Sequence, residues 1–228
     1  MKYSKDFSLI VPTRNNLSGL IKMIDSFMET AHNSECVEFL LAPDIDDPQL
    51  KEIKHRLWNY PVRVYETHQS DNFCRDYFNF LAYKAKGRSV WCMNDDVVME
   101  TEGWDTIINE KIKDKKLYLV DTWDSTHEFE GTSFPRFPII SKEAIDTIGF
   151  VFYPQCRMWP ADRLIYELYK MADLIVECHE VKFQHNHIAN NDPSKSRLYN
   201  IFLEDKANGV FPINVFHEKQ LLINKKEI

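Results

Sequence analysis

The 228-residue chain carries 28 Lys and Arg against 35 Asp and Glu, a net charge of −7. That balance argues against nucleic acid as the main partner, because binding a phosphate backbone needs a cationic footprint. Its length is enough for one sizeable α/β domain or two small ones, its 44% hydrophobic content is globular, and no apolar run approaches the roughly 20 residues of a membrane span.

Residues 7–13 (FSLIVPT) read as a short β-strand stopped by Pro12 and the polar residues beyond it. Leu17, Leu20, Ile21, Ile24, Phe27, Met28 and Ala31 recur at helical spacing, which predicts an amphipathic helix over 17–31 with Asn16 as N-cap. Residues 37–42 (VEFLLA) form a second buried strand running into PDIDDP, and Pro48 opens a helix to about Trp58. A third strand is expected over 62–67. Phe73, Tyr77, Phe80 and Leu81 then mark a helix ending at Lys86-Gly87, with the glycine as C-cap. The fourth strand is 89–93, followed by a helix over 104–113 and a strand-like run over 117–120. Two helices follow, 142–148 closed by Gly149 and 161–171 after Pro160. Residues 174–187 read as one or two strands, and the last 20 residues as irregular.

Strand and helix alternate through the first half, the signature of a mainly parallel sheet with helices on both faces. A single domain over 1–228 is expected, with 190–228 as a C-terminal extension. The five cysteines form no CxxC pair and mostly lie in apolar runs, which suits free thiols in a reducing compartment. The N-terminus shows no secretory pattern, so a cytoplasmic protein is expected.

Ligands of open parallel sheets bind beyond the carboxyl ends of the strands. Three polar clusters fall there: Thr13-Arg14-Asn15, Asp44 to Asp47, and Asn94-Asp95-Asp96. The last interrupts an apolar run, SVWCMNDDVVM. Adjacent carboxylates at the edge of a core strand are costly unless a cation meets them. Mg²⁺ or Mn²⁺ held by one or two carboxylates plus substrate phosphates is one solution, and a helix cap or solvated turn is the plainer one. His185 and His187 lie two apart and share a face on a strand, so one of them is placed to complete a metal site or simply to decorate a surface strand. The contiguous HNH string does not make a nuclease, whose motif letters are dispersed. Asp162 sits in a first helical turn, either stabilising the helix dipole or acting as a general base.

Together these segments resemble the GT-A glycosyltransferases, especially the family-2-like nucleotide-sugar transferases, from about Ser8 to His187. SLIVPTRNNLSGLIKMIDSF looks like the opening strand, turn and helix of that family, and FLLAPDIDD like its second strand and acidic end. FNFLAYKAKGRSVWCMNDDVVMETEGWD resembles the Asn-bearing helix, the strand and the DxD-type motif; FPIISKEAIDTIGF and WPADRLIYELYK resemble the acceptor segment and the base-bearing helix. The resemblance implies a Rossmann-like, mainly parallel central sheet flanked by helices, with a small antiparallel acceptor-side element.

It also implies roles. Thr13 and Asp44 would face the nucleobase and ribose with Arg14 nearby, and Asp46 is the alternative to Asp44. Asp96 would be the principal metal ligand, with Asn94 and Asp95 beside it on ribose or metal. His187, or failing that His185, would be the distal metal ligand. Asp162 would be the base, Trp159 and Arg157 would line the acceptor or sugar pocket, and Asn79 would hold a loop. The activity implied is a metal-dependent (Mn²⁺ or Mg²⁺), inverting hexosyl transfer from a nucleotide-diphosphate sugar, UDP-sugar favoured, to a glycan or other hydroxyl acceptor. Two departures stand out: Asn94 occupies the first DxD carboxylate position, and PDIDD replaces the more usual DDGS. The first keeps open a GT-A-like protein that binds a nucleotide sugar without turnover.

Overall fold

The computed structural model describes residues 3–125, 134–186, 200–201, 203–205 and 216–226. Its strands are β1 (Lys5–Thr13), β2 (Val37–Pro43), β3 (Val62–Val64), β4 (Gly87–Cys92), β5 (Val97–Met99), β6 (Leu119–Asp124), β7 (Ile139–Ser141) and β8 (Ile175–His185). Its α-helices are α1 (Leu17–Thr30), α2 (Leu50–Arg56), α3 (Phe80–Lys84), α4 (Trp104–Ile112), α5 (Lys142–Ile148), α6 (Ala161–Met171) and α7 (Phe216–Lys226). The strands form one sheet in the order β3-β2-β1-β4-β7-β6-β8-β5. β3, β2, β1 and β4 run parallel, and β6 runs parallel to β8. The antiparallel element is β7, wedged between β4 and β6, together with β5 against β8.

Alternation along the central strands builds a core on each face. Phe7, Leu9 and Val11 of β1 join Leu20, Ile24 and Phe27 of α1 on one side. Ile10 joins Leu81, Ile165 and Leu168 on the other. The first core centres on aromatic rings meeting edge to face, with Trp104 5.0 Å from Phe7 and 5.4 Å from Trp91, a favourable quadrupole geometry. Both indole N–H groups stay satisfied in the dry interior: Trp91 donates to the Phe137 carbonyl and Trp104 to that of Phe27, each at 3.0 Å.

Several elements depart from the pattern-based reading. α2 opens at Leu50 rather than Pro48, because Asp47 accepts from the Gln49 N–H at 2.8 Å and stops the turn before it. The 73–86 helix begins as a π-helical stretch, Cys74–Asn79, and only then becomes α3. Gly87 is not its C-cap but the first residue of β4. A Cβ there would sit 2.6 Å from the Ser8 amide nitrogen, so the glycine serves the close approach of β4 to β1. Gly149 does close α5, at φ 88°. β6 runs on to Asp124, and β8 is a single strand. The last 20 residues contain α7, which packs on α5 and α6 with Leu222 buried. Its terminal lysines pair with Glu143 and Asp173, each at 3.1 Å.

Gly87→Ala should lower the unfolding free energy by about 1–3 kcal/mol, the usual cost of overpacking a rigid contact. Urea denaturation followed by circular dichroism would show it as a reduced midpoint at unchanged slope.

Candidate functional site

β1, β2 and β4 are in parallel register, Thr13 beside Pro43 and Ile10 beside Cys92, so their three polar tails emerge at one end of the sheet. Asp95 is held there by Thr13 Oγ1, which donates at 2.6 Å, and Asn16 Nδ2, which donates at 3.0 Å. Burial pushes its carboxyl up to about 6, while these two hydrogen bonds pull the other way. Asn16 therefore both caps α1, accepting from Gly19 N–H at 3.3 Å, and fixes the acidic turn.

Arg14 bridges the second strand's acidic end. Its Nη1 lies 2.8 Å from Asp44 and 2.6 Å from Asp46. Asp44 is 3% exposed and also accepts from the Tyr77 hydroxyl, whereas Asp46 is exposed. Asn15, at φ 51°, turns the chain so that its N–H reaches Asp47 at 2.9 Å, a left-handed position that asparagine tolerates.

The Asp96 carboxylate lies on the other side of the acidic turn. Asp96 Oδ1 is buried, accepts no hydrogen bond among the described residues, and sits 3.3 Å from His185 Nε2. The imidazole is 4% exposed and meets the Phe137 ring edge-on at 4.9 Å. β5 and β8 set this pair: Val97 is in register with His185, and the Asn186 N–H donates to the Asp96 carbonyl at 2.9 Å. A carboxylate oxygen and an imidazole nitrogen 3.3 Å apart are a donor set that fits two protein ligands of a divalent cation such as Mn²⁺, with its remaining ligands supplied from outside the chain. Among the described residues no three His, Cys, Asp or Glu side chains form a self-sufficient metal cage. Asn94 is half-buried in the same turn; His187 lies outside the described residues.

Asp162 is in the first turn of α6, its Oδ1 accepting from the Arg163 N–H at 2.8 Å. The residue is half-buried overall, yet desolvation of the carboxyl pushes it up to about 6. The positive charge of Arg136 pulls it down and the negative charge of Asp124 pushes it up. Asp124 ends β6 beside Phe183, two residues before His185 on β8, so the Asp162 group and the Asp96–His185 pair border the same strand ends. Trp159 is half-buried in the segment before α6. The Arg157 guanidinium is engaged by Asp205 at 2.7 Å and Glu204 at 3.1 Å, which ties residues 204–205 to that segment.

The segment is pinned from below by the π-helical stretch. Asn79 accepts from the N–H groups of Val151 and Phe152, both at 2.9 Å, and donates to the Phe152 carbonyl at 2.7 Å. Asn72 adds a bond to the Pro154 carbonyl at 2.9 Å. Tyr77, Asp124 and Arg136 escaped the sequence reading. The first shows only as a helix-face aromatic, the second lies past the expected end of its strand, and nothing in the sequence around Arg136 points to Asp162.

No protein-family model matches the chain, and no curated protein matches it. Solved structures do. The mannosyltransferase PcManGT from Pyrobaculum calidifontis, in complex with GDP-Man and Mn²⁺, superposes at a TM-score of 0.67 over 98% of this chain and 70% of that one, at 14% identity. S. aureus TarS 1-349 in complex with UDP-GlcNAc gives 0.63 over 95% and 70%, also at 14% identity. This chain has the GT-A fold. A longer S. aureus TarS chain superposes at 0.64 over 97% of this chain, at 13% identity, and this protein spans 43% of its length. No helix among the described residues is long and apolar enough to cross a membrane.

Asn79→Ala removes one acceptor shared by two amides and one donor, leaving loop groups unsatisfied. A loss of about 2–4 kcal/mol is expected, with Asn79→Asp, which keeps the acceptor, losing less; thermal unfolding of the two variants checks the order.

Proposed function

We propose that the protein is a metal-dependent, inverting glycosyltransferase that moves a hexosyl group from a nucleotide-diphosphate sugar, UDP-sugar favoured, to an acceptor hydroxyl. The observation that carries the reading is the buried Asp96 oxygen, without a hydrogen-bond donor among the described residues, facing His185 at the carboxyl end of the GT-A sheet. Neighbours in fold whose complexes contain UDP-GlcNAc, or GDP-Man with Mn²⁺, support it. Mn²⁺ or Mg²⁺ bound by Asp96 and His185 would offset charge developing on the diphosphate leaving group.

The chain's own residues divide the remaining work. Thr13, Arg14 and Asp44 border the nucleoside side, and the Arg14 clamp gives that wall a fixed shape before ligand arrives. Asp46 contributes through the clamp. Asn94 and Asp95 shape the turn next to the ribose. Asp162 takes the proton from the acceptor hydroxyl, and a carboxyl poised near 6 is ionised at neutral pH yet more basic than an ordinary aspartate. One base opposite the leaving group gives inversion. Trp159 lines the acceptor side, and Arg157 supports the same wall through its ion pairs. Action in the cytoplasm is part of this proposal.

The neutral amide of Asn94, where the family's motif has a carboxylate, favours one alternative: a nucleotide-sugar-binding protein without turnover. The two readings differ in nucleoside-diphosphate release. A thermal-shift panel of nucleotide sugars with and without Mn²⁺ identifies the donor; product release then decides between them.

Asp162→Asn should lower turnover by at least about a hundredfold, the low end for a positioned general base, with donor affinity unchanged. In the unaltered enzyme log kcat/KM should fall with slope one as pH drops below about 6, because protonation removes the base. An active Asn variant, or a flat profile across that range, refutes the role. Asp96→Ala should abolish the Mn²⁺-dependent part of donor binding in calorimetry; unchanged binding takes Asp96 out of the site.

A further inference from the structure

A second concavity lies at the opposite end of the sheet. It is a cleft of about 570 Å³ lined by Arg88, Lys113, Lys115, Lys116 and Lys225, with Asp114, Glu143 and Tyr3. Arg88 is the second residue of β4, so the cleft stands at the amino end of the strand whose carboxyl end feeds the acidic turn. Six strand residues put the two about 20 Å apart.

The charges in the cleft do not cancel. Glu143 is met by Lys225 at 3.1 Å and by the Tyr3 hydroxyl at 3.3 Å. Lys113 is met by Glu110 at 3.0 Å. Lys115 and Lys116 are exposed and hold no ion pair among the described residues. Arg88 is half-buried over the Tyr118 ring, and its Nη2 donates to the carbonyl of Ile112 and, at 3.0 Å, to that of Lys115. Those bonds fix the guanidinium while its Nε and Nη1 donate to nothing among the described residues. Among the described lining residues, Arg88, Lys115 and Lys116 are balanced only by Asp114, an excess of about two positive charges in a chain whose net charge is negative. A prepositioned guanidinium beside exposed ammonium groups is the donor set that phosphate oxygens need.

We propose that this cleft binds a small phosphate-bearing anion of at least two negative charges, a phosphate monoester or diphosphate, independently of the donor site. Its volume suits a small ligand, and its concave walls suit a free anion better than the flat surface of an anionic membrane.

Isothermal titration with inorganic pyrophosphate in EDTA, on the full chain, tests it. Lys115→Glu with Lys116→Glu, both at exposed positions, should weaken binding roughly a hundredfold, two charge-assisted contacts at about tenfold each. Arg88→Gln should weaken it as well. Asp96→Ala should leave it unchanged, which separates this cleft from the donor end. Three results overturn the proposal: no heat with pyrophosphate, binding lost in Asp96→Ala but kept in the double lysine variant, or association only with phosphatidylglycerol vesicles.

Discussion

Like charges gathered at one end of a sheet repel one another, and the rest of this site depends on how that repulsion is met. Asp44 and Asp46 are met by one guanidinium, that of Arg14, and Asp95 by the Thr13 hydroxyl and the Asn16 amide. All three of these donors come from residues 13–16, at and just beyond the end of β1, the strand between β2 and β4. The strand that organises the hydrophobic core therefore also organises the polar rim. Among the described residues Asp96 Oδ1 accepts no hydrogen bond, and it faces an imidazole.

The two faces of the sheet carry different parts of the site. α1, whose N-terminus holds the acidic turn, packs in the core built on Phe7, Phe27, Trp91 and Trp104. α6, which bears Asp162, packs in the opposite core through Ile165, Leu168 and Tyr169. The π-helical stretch links them by reaching both ways: Tyr77 bonds Asp44, and Asn79 bonds the chain at 151–152 on its approach to α6. π-helical turns recur where a helix must aim side chains at a functional site, and this one aims at both halves.

Periodicity made much of this visible in the sequence. α5 and α6 fall where residue spacing and the flanking Gly149 and Pro160 place them, and the parallel half of the sheet follows from buried runs such as VEFLLA. The acidic turn was legible because two carboxylates interrupt an apolar strand. What escaped was tertiary. Gly87 looks like a helix stop until Ser8 is seen against it. Among the described side chains of α7 only Leu222 is fully buried, so its amphipathic signal is faint, and lysines meeting Glu143 and Asp173 help to hold it in place. Asp124 and Arg136 near Asp162 are brought together by a sheet order that no local pattern encodes.

The chain leaves β4 at the middle of the sheet and, five residues later, enters β5 at its far edge, where Val97 meets His185 and α1 packs alongside. That jump is possible only in a curled sheet, and it brings Asp96 to a histidine far along the sequence. The loop it closes is long, and its closure costs entropy that the rest of the sheet must offset. A ligand that needs both residues would thus recognise the completed fold and no partly folded form, and its protection against hydrogen exchange would extend to the slowest amides of the core rather than stop at the loops it touches.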